Sequence, residues 1–299
     1  MARLDPAWLD VQYNNRARIP EHPQIFERWS ERSALVREHS GARLDLAYGS
    51  GPNEMLDVFP AAGPKAAPGA GVPVLVFIHG GWWRSLDKFD HSFVAPAFTR
   101  AGAMVVVPNY ALCPAVTIEA IALQMVRALA WSFRNAALHG GDPRRIVVAG
   151  HSAGGHLAAM LLCCDWAAVG DDLPANLVRD ALAVSGVFDL EPVLHTPVLQ
   201  ADLRLTAAAG ARLSPVRFPR PAGRLFAAAG ADESEEFLRQ NGLLREAWGE
   251  RCVPVCETIA GANHLTVLHD LADPQGRLHH RALELLGLAA VNERRAVGA

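Results

Sequence analysis

The chain has 299 residues, of which 51% are hydrophobic and 20% charged, so it can bury a large core, and we expect one catalytic domain spanning residues 1–299. Its 28 Lys and Arg residues against 31 Asp and Glu residues give a net charge of -3, which excludes the basic surface expected of a nucleic-acid or anionic-membrane binder. The five cysteines contain no CxxC pair, which favours reduced thiols over a disulfide framework.

The first forty residues show no targeting signal and a helical pattern. Met1–Asp10 contains charges and a proline where a signal peptide needs an unbroken apolar stretch, and no run in the chain is long enough to span a membrane. We therefore expect a cytoplasmic protein acting on small molecules, with neither nucleic acid nor membrane as partner. Ile25, Trp29 and Val36 form an apolar stripe, so residues 1–40 are predicted to be a helical arm that either covers a pocket or joins a second subunit of a homodimer.

The next elements predict a sheet. Alternating runs at 43–48 and 54–59 favour an antiparallel pair at a sheet edge, followed by a surface loop at 60–71. Short apolar runs then alternate with helical stretches, which predicts a mostly parallel sheet with helices on both faces. The strands are predicted at 74–78, 104–107, 146–149, 181–184, 225–229 and 253–259, and the main helices at 117–139, 151–164 and 235–248. Prolines break this rhythm at about 188–220, where we expect a small cap over the active site.

The motif Gly150-His-Ser152-Ala-Gly154 lies between a predicted strand and a predicted helix. A nucleophile elbow needs small residues near its serine, because the chain turns there so tightly that larger side chains would clash. The strand before Gly150 and the helical residues after Gly155 supply that context. The sequence therefore predicts an α/β-hydrolase fold in which Ser152 is the nucleophile.

The motif His79-Gly-Gly-Trp-Trp83 directly follows the predicted strand 74–78. Hydrolysis through a tetrahedral intermediate needs backbone N–H groups aimed at the developing oxyanion, and glycine lets the main chain approach the substrate. In this fold the donors are the residue after the nucleophile and the loop after the third strand. We therefore expect an oxyanion hole made by Gly80, Gly81 and Ala153.

A serine nucleophile requires a base, which in this fold follows the acid along the chain. His264 fits because it lies on a loop between the strand predicted at 253–259 and a helix. The acid should follow the strand at 225–229, where either Asp232 or Glu233 could orient the imidazole. The spacing of the acid after Gly230 favours Glu233. The length of the side chain and the more frequent use of aspartate in this role favour Asp232. Both stay open, with Glu233 placed first.

Other polar residues receive simpler interpretations. His156, one turn past Ser152, is predicted to be structural, and Glu235 and Glu236 to be first-turn acids of a helix capped by Ser234. The sequence contains no HExxH, no GxGxxG after the first strand and no Walker loop. We therefore expect chemistry that uses neither a metal nor another cofactor.

Several motifs extend from near the N-terminus to the last third of the chain. They are Tyr13-Asn-Asn-Arg-Ala17, His79-Gly-Gly-Trp-Trp83, Pro108-Asn-Tyr-Ala-Leu-Cys-Pro114, Gly150-His-Ser-Ala-Gly-Gly-His-Leu157, Ser185-Gly-Val-Phe-Asp-Leu190, Glu233-Ser-Glu-Glu-Phe237 and Asn263-His264. In combination they resemble the arylformamidase (kynurenine formamidase) branch of the α/β-hydrolases. The resemblance implies hydrolysis of N-formyl-L-kynurenine to L-kynurenine and formate in tryptophan catabolism. It also implies that Trp82 and Trp83 wall the pocket of an aryl substrate, although packing explains at least one of them equally well.

Two other functions fit the same motifs. A carboxylesterase for short acyl or aryl esters needs the same triad and differs only in the shape of its pocket. A ligand-binding protein that has lost catalysis on this scaffold is a remote alternative, because such proteins usually have a damaged triad, whereas every part is present here.

Overall fold

The computed structural model describes residues 4–62 and 71–288. Its strands are β1 Arg43–Ala47, β2 Met55–Phe59, β3 Val72–Ile78, β4 Met104–Pro108, β5 Gly141–His151, β6 Asp180–Val184, β7 Arg224–Gly230 and β8 Val255–Ile259. They form one sheet in the order β1-β2-β4-β3-β5-β6-β7-β8. The pairs β1–β2 and β2–β4 are antiparallel, and all other neighbours are parallel. The mostly parallel sheet with an antiparallel pair at its edge is therefore confirmed, whereas most of the predicted loop 60–71 lies outside the described residues.

Helices cover both faces of this sheet. They are α1 Pro6–Tyr13, α2 Asn15–Arg18, α3 His22–His39, α4 Ala95–Arg100, α5 Ile118–Asn135, α6 Ala153–Leu162, α7 Trp166–Val169, α8 Glu191–Leu194, α9 Pro197–Leu203, α10 Ala207–Arg212, α11 Glu235–Trp248, α12 Val267–Ala272 and α13 Arg277–Leu286. Short 3-10 turns lie at Lys88–Asp90, Ser92–Val94, Ala136–His139 and Pro215–Arg217. No helix in the described ranges combines the length and apolarity needed to cross a bilayer.

The central strands separate two hydrophobic cores. Every side chain from Val74 to Ile78 is fully buried. Val74, Val76 and Ile78 belong to one core, while Leu75 and Phe77 belong to the other. Side chains of a strand alternate between its faces, so an unbroken apolar run is the pattern of a strand with helices on both sides. The sheet is thus a rigid layer that fixes where the strand ends lie.

Three predicted boundaries differ from the structure, two of them around the serine motif. The strand predicted at 146–149 extends over Gly141–His151, since His151 still pairs with Val184 of β6. The helix predicted at 151–164 consequently begins only at Ala153, after a turn at Ser152. The helix predicted at 117–139 ends at Asn135 and continues as a 3-10 turn.

Residues 188–220, here named the cap segment, contain three short helices, α8, α9 and α10. The N-terminal arm contacts this segment, because the Val198 backbone N–H donates to the Asp10 carboxylate at 3.1 Å. The arm also contacts α11, where the Tyr13 hydroxyl donates to Glu236 at 2.9 Å. The arm therefore joins the cap segment to the body of the protein.

Candidate active site

Four polar residues lie one to five residues beyond the ends of four adjacent parallel strands. Ser152 follows β5, Ser185 follows β6, Glu233 follows β7 and His264 follows β8. Carboxyl ends of parallel strands meet at the same edge of the sheet, where ligands of open α/β sheets bind. We call this the carboxyl edge, and it brings together the three residue types that the sequence predicted for a hydrolytic site.

Ser152 occupies a strained turn. Its φ and ψ are 56° and -117°, outside the regions that ordinary residues populate, and it is only 2% exposed. A Cβ on Gly150 would overlap the Gly154 carbonyl, and a Cβ on Gly154 would overlap the Ile78 carbonyl. The flanking glycines are thus required by close backbone contacts, as expected for an elbow that presents a serine side chain between a strand and a helix.

The candidate base His264 and the candidate acid Glu233 form a buried pair. His264 Nδ1 lies 2.6 Å from Glu233 Oε2, and the side chains are 5% and 0% exposed. A carboxylate can only accept, so Nδ1 is the protonated nitrogen and Nε2 keeps its lone pair for a proton. Asp232 is exposed and contributes only its backbone N–H, which donates to the Ala262 carbonyl at 3.0 Å. Of the two acids left open by the sequence, Glu233 is therefore the one that contacts His264.

Two further groups hold the Glu233 carboxylate. The Gly230 backbone N–H donates to Oε1 at 2.7 Å, and the fully buried Ser185 hydroxyl donates to the same oxygen through a short hydrogen bond. Hydrogen bonds to the charged form stabilise a buried carboxylate and fix its direction. Sequence analysis missed Ser185 as part of this site. Its position directly after the strand predicted at 181–184 was the available signal.

The serine turn and the loop that carries the base are tied together by His151. Its Nε2 donates to the His264 carbonyl at 2.7 Å, and the two imidazole centroids lie 4.8 Å apart. Burial and the neighbouring His264 ring hold the pKa of His151 well below its usual range, so this ring is neutral. No hydrogen bond joins Ser152 to His264 in the described ranges, and such bonds commonly tighten only when substrate binds.

The loop after β3 approaches the serine closely. A Cβ on Gly80 would lie 3.0 Å from the Ser152 Cβ, while Gly81 has a φ of +107° that favours glycine. The His79 imidazole donates to the Gly80 carbonyl at 2.8 Å, and the Tyr110 hydroxyl lies 3.2 Å from the same oxygen. Because the peptide is planar and trans, this contact points the Gly81 N–H in the opposite direction.

The three predicted oxyanion donors are free of competing partners. In the part of the chain that the structure describes, the N–H groups of Gly80, Gly81 and Ala153 donate to no acceptor. Ala153 is also the first residue of α6, whose N-terminus favours negative charge. These groups can accordingly stabilise an oxyanion beside Ser152 without losing an existing hydrogen bond.

The two tryptophans take different positions. Trp82 is partly buried and lines a cavity of about 350 Å³. Its ring makes an edge contact with Tyr13 at 5.4 Å and a tilted contact with Phe237 at 5.9 Å. Trp83 is fully buried in the core, where it packs at 90° on His156. Trp83 therefore has the packing role that the sequence left open for at least one of the two tryptophans, since it is buried against His156 of α6.

Three other predictions concern residues around α11 and α6. Ser234 caps α11, as predicted. Glu235 and Glu236 lie in the first turn of α11, also as predicted, and Glu236 is in addition 1% exposed and accepts from the Tyr13 hydroxyl and the Arg239 guanidinium. His156 is fully buried and donates from Nε2 to the Leu213 carbonyl at 2.7 Å, which is a structural contact.

Phe237 was also missed. Its ring lies 4.2 Å from the His264 ring and 5.9 Å from the Trp82 ring, measured between centroids. It therefore forms one aromatic cluster with Trp82 and the His264 ring.

No group of three or more His, Cys, Asp or Glu side chains is placed to hold a metal ion within residues 4–62 and 71–288.

Comparison with known proteins agrees with the α/β-hydrolase fold. A family model described as alpha/beta hydrolase fold matches residues 75–208. Kynurenine formamidase of Danio rerio is 28% identical over 276 residues, covering 90% of this chain and 89% of the relative. Carboxylesterase NlhH of Mycobacterium tuberculosis is 40% identical over 136 residues, covering 45% of this chain and 37% of the relative. The crystal structure of a Silicibacter sp. TM1040 protein has a TM-score of 0.78 at 30% identity, covering 95% of this chain and 99% of that one.

Proposed function

Because the chain belongs to the arylformamidase-like family of α/β-hydrolases, we propose that it is a serine hydrolase that cleaves N-formyl-L-kynurenine to L-kynurenine and formate. The observation that carries the proposal is the buried His264–Glu233 pair at 2.6 Å, held next to the turn of Ser152 by His151. Similarity to a kynurenine formamidase over 90% of the chain supports the choice of substrate.

The first half of the reaction is acyl transfer to the serine. Ser152 Oγ attacks the formyl carbon while His264 Nε2 takes the hydroxyl proton. The negative charge that develops on the formyl oxygen is stabilised by the N–H groups of Gly81 and Ala153, with Gly80 beside them. His264 then gives its proton to the aryl nitrogen, the C–N bond breaks, and L-kynurenine leaves.

The second half regenerates the enzyme. Water attacks the formyl ester on Ser152 while His264 Nε2 accepts a proton from that water. The second tetrahedral intermediate uses the same N–H groups, and its collapse returns the proton to Ser152 and releases formate. The role of Glu233 in both halves is to orient the imidazole and to stabilise the imidazolium.

The aromatic cluster supports an aryl substrate. Trp82 is partly buried and lines the cavity, so its ring offers a face against which an aromatic amide can stack. The fully buried Phe237 contacts both Trp82 and His264 and supports that ring from behind. A carboxylesterase would use the same serine, base and oxyanion donors, and similarity to a mycobacterial carboxylesterase over 45% of the chain keeps that function as the second candidate.

Substrate comparison tests the proposal. We expect kcat/KM for N-formyl-L-kynurenine to exceed that for a short-chain 4-nitrophenyl ester, with both activities abolished in Ser152→Ala while its circular dichroism stays unchanged. A large preference for the ester would instead favour the carboxylesterase. Binding of N-formyl-L-kynurenine without turnover by the unsubstituted protein would favour a ligand-binding role. Full activity in Ser152→Ala would show that the nucleophile is another residue.

A further inference from the structure

A cavity of about 350 Å³ lies beside Trp82, between the N-terminal arm, the turn after Gly81 and α9 of the cap segment. Its volume is in the range of small-molecule sites. The lining combines aromatic and charged side chains, of which the informative ones are Tyr13, Asn15, Arg16, Trp82, Arg84 and Asp202. None of these charged residues takes part in the bond-breaking steps described above.

Arg84 is held in place with one edge of its guanidinium unused. Its Nη1 donates to the Val198 carbonyl at 2.7 Å and to Asp202 Oδ2 at 2.6 Å. In the residues that the structure describes, Nε and Nη2 of Arg84 donate to no acceptor. These two N–H groups form the side-on fork that binds a carboxylate through two parallel hydrogen bonds. Arg84 is thus oriented in advance for an anion.

The other charges in the cavity complement a zwitterion. Arg16 adds a second guanidinium, placed by a 3.3 Å contact between its Nη2 and the Ser85 hydroxyl. Asp202 uses only Oδ2 for Arg84, and its side chain is 42% exposed, so Oδ1 can still accept. Two cations and one anion leave a net charge of +1, which favours a carboxylate, while Asp202 Oδ1 offers an acceptor to an ammonium on a neighbouring atom of the same ligand.

The cavity shares a wall with the reaction centre. Trp82 directly follows Gly81, one of the oxyanion donors, and its indole contacts Phe237, whose ring lies on His264. Consecutive Cα atoms are 3.8 Å apart, so the cavity wall begins within a residue of the oxyanion loop. Trp82 therefore connects this cavity to the loop that carries the predicted oxyanion donors.

We propose that this cavity binds the α-amino-acid end of the substrate, with the carboxylate on Nε and Nη2 of Arg84 and the ammonium beside Asp202 Oδ1. This inference rests on the proposed aryl-formamide hydrolysis and adds the group that distinguishes an amino-acid substrate from a simple formanilide. Binding energy from this remote end would fix the formyl carbon against Ser152.

The test compares two substrates with the same scissile bond. N-Formyl-L-kynurenine carries the amino-acid end, whereas 2′-formamidoacetophenone lacks it. We expect Arg84→Gln to lower kcat/KM about tenfold more for the first substrate than for the second, mainly through KM, which corresponds to about 1.4 kcal/mol. Arg212→Gln is the matched control, because Arg212 joins the cap segment to α5 through Glu119, away from the cavity, and it should leave the substrate ratio unchanged.

Binding measurements keep the subsite separable from catalysis. By calorimetry, L-kynurenine should bind Arg84→Gln about tenfold more weakly than the unsubstituted protein, and Arg84→Lys should recover only part of the affinity, because lysine lacks the fork. An equal loss of kcat/KM on both substrates, or an unchanged affinity for L-kynurenine in Arg84→Gln, would show that Arg84 has only a structural role. Either result would overturn the proposed subsite but not the proposed reaction. Hydrolysis of neither substrate by the unsubstituted protein would overturn the proposed reaction instead, while the calorimetry still decides the subsite.

Discussion

Cavities lie at both ends of the sheet, and the one of about 640 Å³ at the amino end is larger than the one of about 350 Å³ beside Trp82. The amino-end cavity, of about 640 Å³, lies where β6 and β7 begin and is lined by Cys163, Cys164 and Arg220 among others. Burial raises the pKa of Cys163 to about 12 and of Cys164 to about 11, so both thiols stay protonated and unreactive at neutral pH. Cavity size is therefore a poor guide here. Strand polarity is the better guide to the candidate site, because the carboxyl edge gathers Ser152, the loop of His264 and the N-terminus of α6.

Neutralising one acid at each end of the sheet is the strongest test of this comparison. Glu233→Gln at the carboxyl edge should lower kcat by about a thousandfold or more, because an amide no longer fixes the His264 tautomer or stabilises its cation. Asp180→Asn at the amino end, where Asp180 pairs with Arg224 at 2.7 Å, should stay within about twofold. The measurement is turnover of N-formyl-L-kynurenine at saturating substrate.

Asp232→Asn belongs in the same experiment. Its side chain is exposed and does not contact His264 in the described structure, so turnover should be close to that of the unsubstituted protein. If Asp232→Asn loses activity and Glu233→Gln keeps it, the acid has been assigned to the wrong residue.

Lowering the pH should reduce the free energy of unfolding, because the protein contains buried imidazoles such as that of His156. Burial lowers the pKa of His156 to about 4, whereas the unfolded chain titrates near the usual value of about 6.5. Below pH 6.5 the unfolded state binds a proton that the folded state does not, so stability is lost as the pH falls from about 6.5 to about 4. His156 alone then costs about 2 kcal/mol between pH 7 and pH 5.

Urea unfolding at those two pH values measures the effect. His156→Asn should be less stable at pH 7, because it loses packing, but should show a smaller drop on going to pH 5. The exposed His195 supplies the matched control, His195→Asn, with the same drop as the unsubstituted protein. An unchanged drop in His156→Asn would mean that other groups cause the acid sensitivity.

The smallest expected effect is a loss of kcat when the hydrogen bond from Ser185 to Glu233 is removed. Ser185→Ala removes one of two donors to Glu233 Oε1 and leaves the Gly230 N–H, so we expect kcat to fall about tenfold, or about 1.4 kcal/mol. Ser132→Ala is the control, since this buried serine only donates to the Ala128 carbonyl within α5. Because Ser185 acts through Glu233, the loss should disappear in the Glu233→Gln background, and an additive loss would argue against that coupling.

Much of this arrangement could be predicted because local rules dictate it. Gly150 and Gly154 mark the elbow through backbone crowding, and alternating strands and helices fix the polarity of the sheet. The choice between Asp232 and Glu233 could not be made, since spacing gives the order of residues but not the direction of a side chain. The structure shows that the Gly230 N–H donates to Glu233 Oε1 and thereby directs the Glu233 carboxylate toward His264.

The tryptophans show a second limit of sequence reasoning. Trp82 and Trp83 are identical side chains on consecutive residues with a φ of 54° each, and yet one lines a cavity and the other is in the core. What separates them is which neighbours cover them, namely Tyr13 and Phe237 for Trp82 and α6 for Trp83. These contacts join residues that are far apart in the chain, and no local pattern encodes them.

The contact from His151 to the backbone of His264 has a consequence for the tolerance of the site to change. A single ring, on the residue that precedes the alcohol, joins the serine turn to the backbone of the loop that carries His264. The two loops are therefore coupled through one hydrogen bond, and a substitution that shortens this side chain would release one loop from the other.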